Sequence, residues 1–382
     1  MALSTRTILT RSGALIAGLA LASAAPARGA LNNLMFPEQV SSYAKPSDAV
    51  MWFVFLVSAV FFVLLMGLMG YFCLKYRRRP GVAQQRSVGH NTPLELAWSG
   101  IPLILVGVMF VWGLFVYTDM MVAPGRSEAI AVTARKWSWT WDYDNGGQSL
   151  ETTKAYKVIA EAPIFAVPVG RPIKLLMHSE DVIHSLYIPV FRKKIDVHPN
   201  RYTTYWFQAD KPGDYELFCA EYCGDQHSQM MAMVRALPEA EYQEWKAKLL
   251  DTSKVPLLEL GRKLYITKGC NACHSLDGAP GTGPTWQGIY MHDVATTDGK
   301  TLVADDNYLR ESILVPGANI VSGYSNQMPV FMGKLTDREL LALITLIKSL
   351  SETGQSEVEQ ILRQDEEERA GLEAASPEQT EK

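Results

Sequence analysis

Two uninterrupted apolar runs, Ala49 to Tyr71 and Leu96 to Tyr117, constrain this chain more than any other feature of its sequence. Each exceeds the roughly 20 residues needed to cross a bilayer as a helix. Both are too long and too uniformly apolar for a pair of buried core helices. In hydrocarbon every backbone polar group must be bonded internally, so membrane helices are the form open to such runs. Between them lie Lys75, Arg77, Arg78, Arg79 and Arg86, which by the positive-inside rule place the connecting loop in the cytoplasm and both ends of the hairpin outside. Trp52, Trp98, Trp112 and Tyr117 fall towards the interfaces or the flanking turns. The expected hairpin occupies 30–119, with helices at about 49–75 and 95–118.

The rest of the 382-residue chain reads as further modules. Residues 1–29 have the form of an export signal: a basic start at Arg6 and Arg11, an apolar stretch from Gly13 to Ala25, and small residues around Ala27 for cleavage. The alternative is an uncleaved anchor, but the apolar core is short, which favours removal. No cysteine follows it to carry a lipid. From 120 to 250, short segments rich in Val, Thr, Tyr, Trp and Phe alternate with Pro and Gly, which is strand patterning. Glu128–Arg135, Trp137–Tyr143, Ile173–His178, Tyr202–Gln208, Asp214–Phe218 and Met231–Leu237 are the predicted strands, at a spacing that suggests a small β-sandwich or Greek-key barrel. A short helix should begin at Pro238. Residues 251–256 read as a linker and 257–352 as an all-α domain, whose last helix opens on the capping box Thr336-Asp337-Arg338-Glu339. The acidic stretch 353–382 is expected to be disordered or weakly helical. A net charge of -4 implies no nucleic-acid partner.

Cysteine usage points to redox chemistry. Of five cysteines, Cys73 lies in an apolar run and reads as an inert buried thiol. The other four form two motifs. In Cys219-Ala220-Glu221-Tyr222-Cys223-Gly224-Asp225-Gln226-His227-Ser228-Gln229-Met230, two thiols, an imidazole and a thioether share one short loop. This is a soft donor set suited to copper. A single Cys with two His and a weak Met would hold one ion, whereas two Cys can bridge a pair. A second histidine must come from elsewhere. His184, in Asp181-Val182-Ile183-His184, is the preferred candidate, with His178, His198 and His292 as rivals. A disulfide between Cys219 and Cys223 and a zinc site are the alternatives, and neither accounts for the accompanying Met.

The second motif, Cys270-Asn271-Ala272-Cys273-His274, is the pattern for covalent attachment of a c-type haem, with His274 as its proximal ligand. The opposite axial ligand should be a thioether. Met291, Met328 and Met332 are available. Two redox motifs and no hydrolytic constellation indicate electron transfer.

The copper loop resembles the CuA site of subunit II of the haem–copper oxidases, the cytochrome c oxidase family. His90-Asn91-Thr92-Pro93-Leu94-Glu95-Leu96-Ala97-Trp98 with Ile101-Pro102, the aromatic segment Trp137-Ser138-Trp139-Thr140-Trp141-Asp142-Tyr143, and Asp181-Val182-Ile183-His184-Ser185 extend the resemblance over residues 30 to about 245. It implies a cupredoxin-like fold for 120–250, in which Cys219 and Cys223 bridge a binuclear copper, His184 and His227 cap it, and Met230 is axial. Glu221 would bind through its main-chain carbonyl, with its carboxylate turned towards a Mg2+ ion shared with subunit I. Trp137 would be where electrons arrive, and Glu95 would stand at the cytoplasmic mouth of a proton path. Asn200 stands where the family commonly has Gly, a change that costs little because Asn tolerates a left-handed turn. Residues 257–352 resemble class I cytochrome c, and Gln327-Met328-Pro329-Val330-Phe331 makes Met328 the preferred axial ligand. The implied whole is a caa-type oxidase subunit in a bacterial inner membrane, multi-pass, with its globular modules on the periplasmic face. Its partners would be subunit I, other membrane subunits and an exported donor such as cytochrome c or a cytochrome bc complex. The same relay in a nitric oxide reductase is the alternative reading, and a copper-free quinol oxidase homologue is opposed by the complete ligand set.

Overall fold

The computed structural model describes residues 35–83, 89–153, 161–249 and 252–375. The expected signal segment and Arg86 lie outside the described residues. Two long helices, α1 (Ala44–Lys75) and α2 (Thr92–Met121), form the hairpin. At 1.5 Å rise per residue, 32 and 30 residues outreach a hydrocarbon core of about 30 Å. Almost nothing along them is buried within the chain: Ala44 and Asp48 at the outer end of α1, and no residue of α2. Cys73, expected to be buried, is exposed. A helix with apolar residues all round has no inward face of its own to hide a thiol, and its covering must come from lipid or another subunit.

The sandwich follows. Its strands are β1 (Glu128–Arg135), β2 (Ser138–Asp142), β3 (Thr152–Thr153), β4 (Ala162–Pro168), β5 (Ile173–Ser179), β6 (His184–Ile188), β7 (Lys193–Val197), β8 (Thr203–Phe207), β9 (Gly213–Cys219) and β10 (Met231–Leu237). One sheet has the order β2-β1-β5-β8 and the other β3-β4-β10-β9-β6-β7. Inward side chains of both, among them Trp139, Phe165, Leu175, Phe191, Tyr205 and Phe207, are fully buried between them. The predicted strands are all present, while β3, β4, β6 and β7 went unread in the sequence. In β4 the prolines Pro163 and Pro168 disguise a segment that is buried almost throughout. β6 and β7 are short and carry His184 and Lys193 inward.

Two consecutive cations between β6 and β7 tie the sandwich to the hairpin. The Arg192 guanidinium holds both oxygens of Asp48 near the start of α1, at 2.8 and 3.1 Å. The buried Lys193 ammonium donates to the Met120 carbonyl at the end of α2 and to the Trp206 carbonyl.

After α3 (Glu239–Lys248), the helices α4 (Leu257–Thr267), α5 (Asp306–Leu314) and α6 (Asp337–Ser349) build the second module, with a small hairpin of β11 (Asp293–Ala295) and β12 (Thr301–Val303). The capping box at Thr336 and Glu339 is formed. Of the acidic stretch expected to be disordered or weakly helical, residues Gln355–Ala375 form a helix, α7, and 376–382 lie outside the described residues. Its sequence looks uniformly acidic, yet Val358, Ile361 and Leu362 recur at helical spacing and pack on the module's core. Below them the buried Asp365 accepts from the Leu257 N–H (3.2 Å), Arg338 (2.8 Å) and Arg369 (3.0 Å). Arg338 also donates to the Ser253 and Val255 carbonyls, so the expected linker is strapped to α6.

Burial opposes ionisation of Asp365, but the bonds from Arg338, Leu257 and Arg369 outweigh it and hold the carboxyl below its usual range. Its contribution to stability is therefore full above the ordinary carboxylate pKa of about 3.9 and fades as pH falls through the lower folded value. Asp365→Asn should cost about 3 kcal/mol at neutral pH and flatten this acid dependence in denaturant titrations followed by helix circular dichroism. Acid unfolding identical to that of the parent would contradict the assigned role of α7.

Candidate metal centre

Three strand ends of one sheet converge to make the site. β6 pairs with β9 so that Leu186 faces Cys219, and β9 pairs with β10 so that Phe218 faces Met231. The intervening loop is closed at its neck by the Cys219 N–H, which donates to the Met230 carbonyl at 3.1 Å, and by the Ala220 N–H, which donates to the Ser185 carbonyl at 2.9 Å. Inside, Cys219 Sγ lies 3.8 Å from Cys223 Sγ and 3.9 Å from His184 Nδ1. Cys223 Sγ lies 3.4 Å from His227 Nδ1 and 3.9 Å from Met230 Sδ. The sulfur separation is nearly twice the ~2.05 Å of a disulfide, so the thiols face one another unjoined. His184, Cys219 and Cys223 are buried, and their ligating atoms lie within 4.8 Å of one another. His184 is thus brought to the sulfurs, whereas His178 stacks near Tyr202 and His292 bonds the Tyr290 carbonyl. His198 sits where its carbonyl accepts from Ser179.

The electrostatics suit a cation. Cys223 and then His184 hold the Cys219 thiol well below its usual range against the effect of burial. Its neighbour Cys223 is pushed up, because a second thiolate beside the first is resisted. His184 Nε2 lies 2.9 Å from Asp181 Oδ1. A carboxylate on that nitrogen fixes the tautomer and leaves Nδ1 for the sulfur side. Burial disfavours charge on His184, but the bonds to Asp181 and Cys219 prevail and raise its pKa. Asp181 is itself held by the Lys136 N–H at 2.7 Å and the Val182 N–H at 2.6 Å. Sequence reasoning quoted Asp181 without giving it a task. An acid three residues before a candidate ligand was the available signal.

Other predicted residues fall variously. The Glu221 carbonyl lies 3.3 Å from Cys219 Sγ, while its side chain is exposed. Trp137 is buried against the loop, with its ring on Gly224. Glu95 is far from this cluster and accepts from the Asn91 N–H at 2.9 Å, an N-terminal cap of α2.

In the second module an apolar cleft holds about 880 Å³ of unfilled space, its open mouth included. His274, Cys273, Trp286 and Met328 line it, whereas Met291 and Met332 are exposed. The His274 Nδ1–H donates to the Pro284 carbonyl at 2.7 Å, leaving Nε2 as the acceptor, and burial lowers its pKa so that the ring is neutral. A Cβ on Gly283 would come 2.8 Å from the His274 ring, so the wall is pared to backbone there. A thiol, a neutral imidazole with a fixed tautomer and a thioether around an apolar slot, with the second thiol of the motif, Cys270, packed on the same module's core, are the residues a c-type haem requires.

Residues 129–237 match the family described as cytochrome c oxidase subunit II, periplasmic domain, and residues 258–351 match cytochrome c. Cytochrome c oxidase subunit 2 of Alkalihalophilus pseudofirmus is 28% identical over 308 residues, which span 77% of this chain and 82% of that protein. The chain is thus similar to cytochrome c oxidase subunit II over most of its length. The Synechocystis cytochrome c oxidase subunit 2 is 26% identical over 264 residues, 56% of this chain and 76% of that one. Among solved structures, the periplasmic domain of subunit II of cytochrome oxidase (CoxB) of Bradyrhizobium japonicum is 28% identical and covers 34% of this chain and 97% of its own, with a TM-score of 0.32. The two matched domains, the periplasmic domain of subunit II and cytochrome c, imply copper and haem c in the two sites.

Asp181→Asn should weaken copper binding by about tenfold to a hundredfold, the usual effect of removing a ligand's hydrogen-bond partner. Competition with a chelator of known affinity measures it, and an unchanged affinity would remove Asp181 from the site.

Proposed function

We propose that this chain is the electron-receiving subunit of a haem–copper terminal oxidase, with its globular modules on the outer face of a bacterial inner membrane. The observation that carries this reading is the pairing of a five-residue soft donor cluster with a haem cleft on adjoining faces of one chain. Bound there, a copper pair and a haem c supply one-electron carriers between an exported donor, such as cytochrome c or a cytochrome bc complex, and the oxygen-reducing subunit I.

The residues divide the work. Cys219 and Cys223, 3.8 Å apart, would hold the copper with their thiolates. His184 and His227 would add an imidazole Nδ1 on one sulfur side each, and Met230 and the Glu221 carbonyl would complete the set. The exposed Glu221 carboxylate is free to reach a Mg2+ ion shared with subunit I. Cys270 and Cys273 would attach the haem covalently, and His274 and Met328 would ligate its iron. Trp137, lying on the copper loop, receives the electron from the haem side. α1 and α2 dock on subunit I, since their apolar surfaces require cover.

The test is the full chain carrying Cys270→Ser and Cys273→Ser, which cannot attach haem. Its copper should give an electron paramagnetic resonance signal delocalised over both nuclei. A four-line mononuclear signal at full loading would sink the bridged assignment. Oxidation of the physiological donor should slow greatly, because a donor held on the same chain acts at an effective concentration in the millimolar range or above. Turnover at the parent rate would make the cytochrome module a bystander.

A further inference from the structure

The haem-bearing and copper-bearing loops are pressed against one dipeptide. The Trp137 ring lies on Gly224, where an added Cβ would stand 3.1 Å from Cζ2. Gly224 adjoins Cys223. Its neighbour Ser138 lies on Gly269, where an added Cβ would stand 2.4 Å from the Ser138 Cβ and 2.5 Å from its Oγ. Gly269 adjoins Cys270. We propose that the seating of Ser138 on Gly269 is the positioning contact that fixes the haem loop against the copper loop, so that the cytochrome module is docked and not merely tethered. This deepens the relay reading above and rests on it.

Three observations carry the proposal. First, the contact has little slack, since the Gly269 backbone meets the Cβ and Oγ of a side chain too short to swing clear. The Ser138 hydroxyl is buried with no hydrogen-bond partner, so what Ser138 contributes there is its size. Secondly, the surrounding seam is built as an interface, with an apolar centre and a polar rim. Ala272 and Cys273 pack on the sandwich core. The buried Arg135 guanidinium lies 5.0 Å from the centre of the Phe331 ring. Lys334 reaches both Glu180 oxygens at 2.7 Å, and Lys268 reaches Gln148 at 2.7 Å. These rim contacts use long side chains that can readjust, whereas the Ser138 seat cannot. Thirdly, Trp137 is only 4% exposed in the docked chain, so a diffusing donor has almost none of its ring to touch.

Gly269 has φ +77°, so any side chain there meets two obstacles, backbone strain and the Ser138 wall. The experiment separates them. In the full chain with haem and copper loaded, and attachment verified by absorbance, Gly269→Ala should lower the docked-to-undocked ratio by about tenfold, equivalent to about 1.4 kcal/mol. That is read as an equal loss of hydrogen-exchange protection over residues 135–142. Single-turnover reduction of copper by the chain's own haem should slow with it. Adding Ser138→Gly removes both close atoms and leaves the strain, so the double variant should recover protection and rate together.

If Gly269→Ala changes neither quantity, the seat does not position the module. If the double variant fails to recover, backbone strain and not the seat is responsible, and the proposal is equally overturned. Loss of protection with an unchanged rate would show that docking does not govern transfer, which also overturns it. Failure of the relay reading appears separately, in the haem-free variant, and leaves the exchange result standing.

Discussion

The pairing register of β6, β9 and β10 is the constraint on which the rest depends. Side chains alternate across a sheet, so a slip of one residue would turn every inward group outward. With Leu186 opposite Cys219 and Phe218 opposite Met231, His184, Cys219 and Met230 arrive on the same side of one sheet end. The register is in turn set by the core beneath, where Leu186, Leu217 and Ala232 are wholly buried. The donor geometry is thus imposed by apolar packing well below it. A metal entering such a site meets ligands already gathered, and the protein bears the cost of holding two thiols and two imidazoles close.

That division of labour explains what was legible in the sequence. Short-range chemistry was plain. The copper loop, the haem motif and the capping box at Thr336 are each encoded within a dozen or so neighbouring residues, and each membrane run within about two dozen. The strands β1 and β10 read cleanly because they alternate or run apolar between turn residues. His184 was singled out from its motif, but its task depended on β6 lying beside β9, which no local pattern encodes. β7 escaped notice because it buries Lys193, a residue type that marks the surface in most strands. The helix α7 escaped notice because three apolar residues and Asp365 are scattered through acidic sequence.

The seam between the two modules was invisible for a related reason. It joins segments more than a hundred residues apart, and its members are ordinary in isolation: a serine, a glycine, an arginine, a phenylalanine. Burying Arg135 beside Phe331 makes sense only when the cytochrome module is in place. Nearby, Glu180 lies 3.8 Å from Arg135 and also holds Lys334. One acid therefore serves a cation from each module, and the charge left on either side of the seam depends on the other being present.

The Arg192-Lys193 pair carries a mechanical meaning. The ammonium of Lys193 sits 5.0 to 5.9 Å from the centres of three rings, Tyr43, Tyr205 and Trp206, and burial pushes its pKa down to about 8. With Arg192 gripping one helix and Lys193 the other, the head is fastened at two points across the width of the hairpin. A single fastening would permit the head to swivel about the membrane normal, but two prevent yaw. The copper loop is consequently given a fixed compass heading relative to the helices, and any subunit that recognises the helices receives that heading with them.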